Sequence, residues 1–193
     1  MKTLLRIDSS LRFKKSYSRR AGDSFVQGWK IRNPNGKVKN REVGMRFIPH
    51  LDQALFEEFH TVQNSSEKLR LSDELIAELV ECDEILITVP MYNFGIPSSL
   101  KAYFDLVVRT GKTFRYDDKS IGLLKNKKAY ILSSMGDVKS DAPSLVEMHL
   151  QQILNYIGIE DIFYYSLDGT ADESYARQQL NNYKISFSNI LNQ

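Results

Sequence analysis

The stretch EILITVPMYNFGIPSSLKAYFDLVV, residues 84–108, predicts a strand, a turn and a helix in succession. Glu84–Val89 is a run of branched and apolar residues without alternation, which is typical of a strand buried on both faces. Pro97 suits the first turn of a helix, because its missing N–H needs no partner there. The apolar residues that follow share one helical face and are Leu100, Tyr103, Phe104, Val107 and Val108. The stretch therefore predicts one β–α unit of a parallel sheet.

The same strand–helix order recurs along the chain. The other predicted strands are Thr3–Asp8, Val38–Val43, Lys128–Ser134 and Ile162–Tyr165, the second of them near an edge of the sheet. The other predicted helices contain Ala21–Trp29 and Leu71–Leu79, run from Pro143 to Tyr156, and end the chain with Leu180, Tyr183, Phe187, Ile190 and Leu191. A further short helix is expected around Asp52–His60, inside a long connection over residues 44–66. The alternation predicts one α/β domain over residues 1–193, with about five parallel strands and helices on both faces.

Composition excludes several classes of protein. The net charge is +2 over 193 residues, which does not demand a nucleic-acid partner. No run of about 18 apolar residues could form a membrane-spanning helix. Cys82 is the single cysteine, so no internal disulfide forms and a reducing cytoplasm is expected. The three histidines, His50, His60 and His149, are scattered, and the sequence predicts no metal site.

Ligands of open parallel sheets bind beyond the carboxyl ends of the strands, so the loops that follow the strands are the candidates for a site. After the first strand come Ser9-Ser10 and then Ser16-Tyr17-Ser18, which enters a helix. Hydroxyls and the free N–H groups of a helix start favour an anionic oxygen. Positive charge nearby comes from Arg12, Lys14, Lys15, Arg19 and Arg20. The alternative is that these serines only cap the helix before a solvated basic turn.

The next two loops have a different chemistry. Met91, Tyr92 and Phe94 offer apolar walls, and Asn93 with its neighbouring amides can meet the heteroatoms of a ring. The loop after the fourth strand contains Ser134-Met135-Gly136-Asp137, where glycine lets the backbone approach a ring edge. The G-x-G-x-x-G fingerprint of dinucleotide sites is absent. A phosphate at one end and a flat heteroaromatic at the other indicate flavin mononucleotide (FMN). The alternative is that the aromatic side chains only cover the core.

The segment PMYNFGIPSSLKAYFDLVVRTGKTFRY, residues 90–116, resembles the most characteristic part of the FMN-dependent NAD(P)H azoreductases, which are flavodoxin-fold enzymes related to quinone reductases. Shorter matches are SS at 9–10, SYSR at 16–19, LSDELIAEL at 71–79 and LSSMGD at 132–137. The resemblance implies a flavodoxin-like three-layer sandwich. It implies that the cofactor is held by Ser10, Ser16, Tyr17, Ser18, Met91, Tyr92, Asn93, Phe94, Ser134, Met135, Gly136 and Asp137.

One position departs from the family pattern. The third loop of the family commonly reads Ser-Arg-Gly-Gly, whereas this chain has Ser134-Met135-Gly136-Asp137. The Asp137 carboxylate either disfavours negative charge on a reduced flavin or faces water. FMN binding is expected to survive the change, and substrate preference is the property most affected by it.

The resemblance also implies an activity and a partner. The family is homodimeric with flavin sites at the subunit interface, and it reduces quinones and azo compounds with NADH or NADPH by a ping-pong two-electron transfer. Phe114 and Tyr116 would reach the neighbouring subunit or its substrate pocket, and Tyr156 would form a pocket wall unless it packs locally. No side chain stands out as a catalytic acid or base. The alternatives are a flavodoxin-like electron carrier, whose surface is usually more acidic, and a binding module that has lost its flavin.

Overall fold

The computed structural model describes residues 1–59, 67–138 and 144–190. Its strands are β1 (Thr3–Asp8), β2 (Lys37–Glu42), β3 (Glu84–Pro90), β4 (Phe114–Asp117), β5 (Lys119–Gly122), β6 (Lys128–Ser134) and β7 (Asp161–Leu167). Its α-helices are α1 (Tyr17–Arg32), α2 (Gln53–Phe59), α3 (Arg70–Glu81), α4 (Ser98–Val107), α5 (Leu145–Ile157) and α6 (Glu173–Ile190).

Five strands form one parallel sheet in the order β2-β1-β3-β6-β7. The order reverses between β1 and β3, so the chain passes from one half of the sheet to the other at this point. Crevices for ligands open at the carboxyl ends of the strands beside such a reversal. The predicted architecture of five parallel strands with helices on both faces is therefore confirmed, including β2 at an edge.

The two faces of the sheet carry separate hydrophobic clusters. Leu4, Leu86 and Leu132 pack on one face with Phe25 and Trp29 of α1. Their neighbours in sequence point the other way, and Leu5, Ile85 and Ile131 belong to the cluster that receives α3, α4 and α5. This alternation along each buried strand follows from the two-residue repeat of a strand. The helices packed on both faces hold the ends of the strands in place. The loops that follow the strands therefore start from fixed positions.

The polar segment after α4 is a two-stranded antiparallel hairpin, β4–β5, which the sequence analysis does not predict. Its turn residue Asp118 has φ +56°, and Gly122 at its end lies against the α5 terminus. A Cβ on Gly122 would lie 2.1 Å from the Gly158 nitrogen, so only glycine permits this approach. The hairpin is therefore attached to the end of α5 rather than solvated along its length.

Several predicted boundaries change or fall outside the described residues. The short helix expected around Asp52–His60 is α2, Gln53–Phe59, and the fifth strand is longer than predicted, at Asp161–Leu167. Ser144 precedes α5 as its N-cap. The positions His60, Pro143 and Leu191, and the side chains of Phe187 and Ile190, lie outside the described residues.

Candidate active site

A cavity of about 300 Å³ lies at the carboxyl ends of β1, β3, β6 and β7. It brings together the three loops that the sequence analysis selects, and a fourth that follows β7. Its lining consists of Ser10, Arg12, Lys15, Ser16, Tyr17, Pro90, Met91, Tyr92, Ser134, Met135, Gly136, Thr170 and Ala171. Arg12 and Lys15 are the charged members of this lining among the described residues, so the cavity favours an anion.

Ser16 caps the start of α1. Its Oγ accepts a hydrogen bond from the Arg19 amide at 3.4 Å, and its carbonyl accepts one from the Arg20 amide at 3.1 Å. The amides of Tyr17 and Ser18 precede these bonds and belong to the first turn, which has no intrahelical acceptors. Ser18 is buried, and its hydroxyl lies 3.2 Å from the Ser16 hydroxyl. The helix start therefore presents amide donors to the cavity, with Ser18 supporting Ser16 from behind.

Arg19 holds the first loop in shape from inside the protein. Its guanidinium donates to the carbonyl of Ser10 at 2.7 Å and to that of Arg12 at 3.1 Å. The same group binds both carboxylate oxygens of Glu42, at 2.6 and 2.7 Å. Burial acts to lower the pKa of Arg19, but these hydrogen bonds and the charge of Asp8 outweigh it and raise the pKa. A permanently charged group therefore turns two loop carbonyls inward and away from an anionic ligand.

The segment that begins at Gly44 packs directly behind the same loop. Glu42 Oε1 accepts hydrogen bonds from the amides of Gly44 and Met45, at 2.9 and 3.1 Å. A Cβ on Gly44 would lie 2.3 Å from the Ser10 carbonyl oxygen. The first part of the long 44–66 connection therefore supports the loop that lines the cavity.

The second loop is a tight turn at the end of β3. Tyr92 and Gly95 exchange two backbone hydrogen bonds of 3.0 Å, and the residues between them, Asn93 and Phe94, have φ +48° and +65°. Positive φ at both central residues characterises a type I′ turn, which usually contains glycine. The Tyr92 hydroxyl accepts a hydrogen bond from the Leu11 amide at 3.3 Å, which joins this turn to the first loop. The turn holds Phe94 outward, with 79% of its surface exposed.

The third loop is fastened on both sides. The Ser134 carbonyl accepts from the Met91 amide at 2.7 Å, and the Met135 carbonyl accepts from the amide and hydroxyl of Thr170 at 3.0 and 2.8 Å. Asp137 is exposed, and its carboxylate accepts from the Val138 amide at 2.9 Å. Asp137 is not among the residues that line the cavity.

Eight of the twelve residues expected to hold the cofactor line the cavity: Ser10, Ser16, Tyr17, Met91, Tyr92, Ser134, Met135 and Gly136. Asn93 lines an adjoining groove instead. Ser18 lies behind Ser16, and Phe94 and Asp137 lie at the exposed rim. The roles of all twelve residues in cofactor binding remain predictions.

Phe114, Tyr116 and Tyr156, the expected substrate-pocket residues, line neither the cavity nor the adjoining groove. Phe114 packs on Tyr156 with ring centroids 4.8 Å apart, and the Ser120 hydroxyl donates to the Tyr156 hydroxyl at 3.3 Å. Tyr116 is 73% exposed on the hairpin. Phe114 and Tyr156 thus form an aromatic pair between the hairpin and α5, and neither this pair nor Tyr116 lines the cavity of the same chain.

The adjoining groove, here called the outer groove, has a volume of about 780 Å³. It shares Met91 and Tyr92 with the cavity. Its lining consists of Leu11, Met91, Tyr92, Asn93, Gly95, Ile96, Pro97, Ser98, Lys101 and His149. The cavity therefore continues sideways over the turn and between the starts of α4 and α5.

Sequence reasoning misses the contribution of the fourth loop. Thr170 and Ala171 line the cavity, and the Ala171 amide donates to the Gly136 carbonyl at 3.1 Å. The loop after β7 lies at the same edge of the sheet as the others, and it contains Gly169 followed by the hydroxyl residue Thr170. Applying the rule for strand ends to the fifth strand would have found it.

Three further features concern metal ions, the membrane and the cysteine. Within the described residues, no group of three His, Cys, Asp or Glu side chains is arranged to hold a metal ion. None of the described helices has the length and apolar character that crossing a membrane requires. Cys82 is 1% exposed at the C-terminal end of α3, and burial raises the pKa of its thiol to about 11. The thiol is therefore packed and protonated at neutral pH.

Comparison with known proteins agrees with this geometry. A family model described as "Flavodoxin-like fold" matches residues 1–191. Among solved structures, an azoreductase from Bacillus anthracis strain Sterne superposes with a TM-score of 0.86 at 19% identity, covering 98% of this chain and all of that one. An FMN-dependent NADH-azoreductase from Bacillus anthracis strain Ames Ancestor, solved with FMN, superposes with a TM-score of 0.84 at 21% identity. This second superposition covers 98% of this chain and 99% of the Ames Ancestor protein. At these identities the structures establish the fold.

Curated relatives are more similar in sequence. The FMN-dependent NADH:quinone oxidoreductase of Cellvibrio japonicus is 41% identical over 177 residues, which cover 88% of each chain. The protein of the same name from Marinomonas sp. strain MWYL1 is 43% identical over 166 residues, covering 82% of this chain and 84% of that one. The chain therefore belongs to the flavodoxin-like family of FMN-dependent NADH:quinone oxidoreductases, as the resemblance in its sequence implies.

Proposed function

We propose that this protein is an FMN-dependent oxidoreductase that passes two electrons from NADH to quinones and azo compounds. The observation that carries the proposal is one cavity at the end of the sheet, which is lined by two kinds of group. The start of α1 supplies amide and hydroxyl donors, and Met91, Tyr92 and Met135 supply apolar surface. The relatives that are about 40% identical are named FMN-dependent NADH:quinone oxidoreductases, and the azo compounds in the proposal follow the name of the solved FMN-dependent NADH-azoreductase.

The residues of the cavity fit FMN. A phosphate carries negative charge, which the start of α1 together with Arg12 and Lys15 stabilises. A flat ring needs apolar walls, which Met91, Tyr92 and Met135 supply. Its polar edge needs hydrogen-bond partners, which Ser134 and the backbone at Gly136 can provide. FMN, when bound, accepts a hydride equivalent from the donor and delivers two electrons to the acceptor.

The protein's own part is to bind, orient and stabilise. Arg19 keeps the Ser10 and Arg12 carbonyls turned away from the phosphate position. The hydrogen bonds from Thr170 to the Met135 carbonyl hold the third loop in a fixed position, so the loop is preorganised beside a ligand in the cavity. We expect no side chain to act as a dedicated acid or base, with water supplying the protons. Donor and acceptor occupy the same open face in turn, which predicts ping-pong kinetics.

A homodimer completes the proposed site. The aromatic pair Phe114–Tyr156 and the exposed Tyr116 do not reach the cavity of their own chain. A second copy that places these rings over the cavity would cover the exposed Phe94 and form the substrate pocket. Sedimentation of the FMN-loaded protein at micromolar concentration tests this, and a fully active monomer would refute it. The lone buried Cys82 suits a reducing cytoplasm, where we place the protein.

The activity is tested with the purified protein and added FMN. We expect the flavin absorption bands to appear with the protein, to bleach anaerobically with one equivalent of NADH, and to return when a quinone or azo compound is added. Steady-state rates should give parallel double-reciprocal lines. A colourless protein that does not take up FMN would contradict the proposal. A flavin that NADH reduces but no quinone or azo compound reoxidises would favour an electron carrier.

The site is tested by charge removal. The Arg12→Gln, Lys15→Gln double variant should lower FMN affinity about tenfold or more, because hydrogen bonds to a charged group contribute about 1.5–3 kcal/mol. Lys14→Gln is the matched control, since Lys14 lies in the same loop but does not line the cavity. Quenching of flavin fluorescence measures both affinities. Equal losses in the two proteins would show a general charge effect and not the proposed phosphate site.

A further inference from the structure

The outer groove combines an apolar floor with two basic side chains. Leu11 and Ile96 line it together with Met91 and Tyr92, which also line the cavity. Lys101 of α4 and His149 of α5 supply the nitrogen groups, and they belong to two different helices that border the same space. A molecule that lies on the Tyr92 side of the cavity would extend into this groove.

Both basic side chains keep hydrogen-bond donors available. Lys101 Nζ binds one oxygen of Asp105 at 2.5 Å, but an ammonium group has three N–H donors, and the side chain is 48% exposed. His149 makes no hydrogen bond within the part of the chain that the structure describes. An imidazole donates from a ring N–H in its neutral and its charged form. No carboxylate is among the described residues that line the groove.

We propose that the outer groove is a subsite for the anionic group of a flat substrate whose aromatic body reacts at the cavity, with that anion on Lys101 and His149. This inference rests on the proposed function, because the ligand of the groove is a molecule that reacts at the cavity. The groove would bind the part of that molecule that extends beyond the cavity. Carboxylate, sulfonate and phosphate oxygens all accept hydrogen bonds from an ammonium and an imidazole N–H. The start of α4, with Pro97 as N-cap and no side-chain cap, adds a favourable dipole at the same place.

Two reacting molecules could supply this anion. One is a quinone or azo compound with a sulfonate or carboxylate substituent, and the other is NADH through its pyrophosphate. The chemistry is the same in both cases, so the experiment has one arm for each. In the acceptor arm, 1,4-naphthoquinone is compared with 1,4-naphthoquinone-2-sulfonate. In the donor arm, the KM for NADH is measured with the neutral quinone.

The variants are Lys101→Gln, His149→Gln and their combination, all in the FMN-loaded protein. The control is Lys125→Gln, because Lys125 is equally exposed, at 51%, and is paired with Glu160 at the opposite end of the sheet. Binding of anthraquinone-2-sulfonate to the oxidised protein, measured by calorimetry without donor, gives a readout that is independent of turnover. FMN content is measured in every sample.

The double variant should lower kcat/KM about tenfold for the sulfonated quinone, or raise the KM for NADH about tenfold, and change the neutral quinone less than twofold. In the first case it should also weaken the binding of anthraquinone-2-sulfonate, and the control should match the wild type. Equal effects on charged and neutral substrates, or no effect on any of them, would overturn the inference. A wild-type protein without FMN or turnover would instead overturn the proposed function.

Discussion

Phe94 is the residue whose conformation is hardest to reconcile with stability alone. Its φ of +65° lies in the left-handed region, where an L-residue costs about 1–2 kcal/mol, and its ring is 79% exposed. Glycine would satisfy the type I′ turn without this strain. Both the strained backbone and the exposed ring make sense if the ring acts on a ligand or on a second subunit.

We expect Phe94→Gly to separate stability from activity. Removing the strain should leave the free energy of unfolding unchanged or raise it by up to about 1 kcal/mol, because little buried surface is lost. The same change should lower quinone turnover several-fold. Urea unfolding and steady-state kinetics measure the two effects.

Asn126→Gly is the control for Phe94→Gly. Asn126 also has a positive φ, +61°, but it lies at the opposite end of the sheet. It should gain no more stability than Phe94→Gly, because asparagine tolerates the left-handed region better than phenylalanine, and it should keep full turnover. A Phe94→Gly protein that is strongly destabilised, or fully active, would count against a functional role for this ring.

The hairpin shows how the contact between two elements depends on one small residue. Gly122 ends β5 and meets the backbone of Gly158, which ends α5 with φ +103°. Next to this contact, the Leu124 amide donates to the Ile157 carbonyl at 2.9 Å. The contact holds the hairpin, and with it Tyr116, at a defined place beside α5.

Gly122→Ala should displace the hairpin from α5. The new Cβ would lie 2.1 Å from the Gly158 nitrogen, and overpacking of this kind costs about 1–3 kcal/mol. Hydrogen exchange at Leu124 should accelerate, and the proposed dimer should weaken. Gly111→Ala serves for comparison, because nothing lies within 4 Å of its Cβ position and only its φ of +76° is strained. Equal exchange at Leu124 in the two variants would refute the steric explanation.

The elements differ in how far they could be predicted from sequence. Glu84–Pro90 and α4 follow from an unbroken apolar run and from Pro97, since both signals are local. The hairpin was missed because its strands have four residues each and depend on contact with Gly158, which is distant in sequence. The candidate active site likewise combines local signals with contacts between residues that are distant in sequence. Serines before a helix indicate an anion, but the support that Arg19 and Gly44 give to the loop is tertiary and leaves no local pattern.

At the scale of the whole molecule, several protonated side chains are buried or half-buried in different parts of the structure. Burial raises the pKa of Cys82 from 9.0 to about 11 and that of Tyr183 from 10.0 to about 12. Burial also raises the pKa of Tyr130. The folded state thus keeps these protons at a pH where the unfolded chain has lost them.

Stability should therefore fall between about pH 9 and pH 12, because the unfolded state binds fewer protons there. A shift of two pKa units corresponds to about 2–3 kcal/mol, so Cys82 alone accounts for about 2 kcal/mol between about pH 9 and pH 11. Urea unfolding in the presence of a reductant measures the loss. Cys82→Ala should make the decline shallower in that interval. A free energy of unfolding that stays constant to about pH 11 would contradict this assignment.

The buried Cys82 also makes the molecule a natural background for spectroscopic labelling. It is the only cysteine in the chain, it is 1% exposed, and its raised pKa leaves little thiolate to react. A cysteine placed at Tyr116 would therefore be the one thiol that a nitroxide or fluorophore can reach, with no native residue to remove first. Two such labels in an assembled pair would report the distance between hairpins directly in solution.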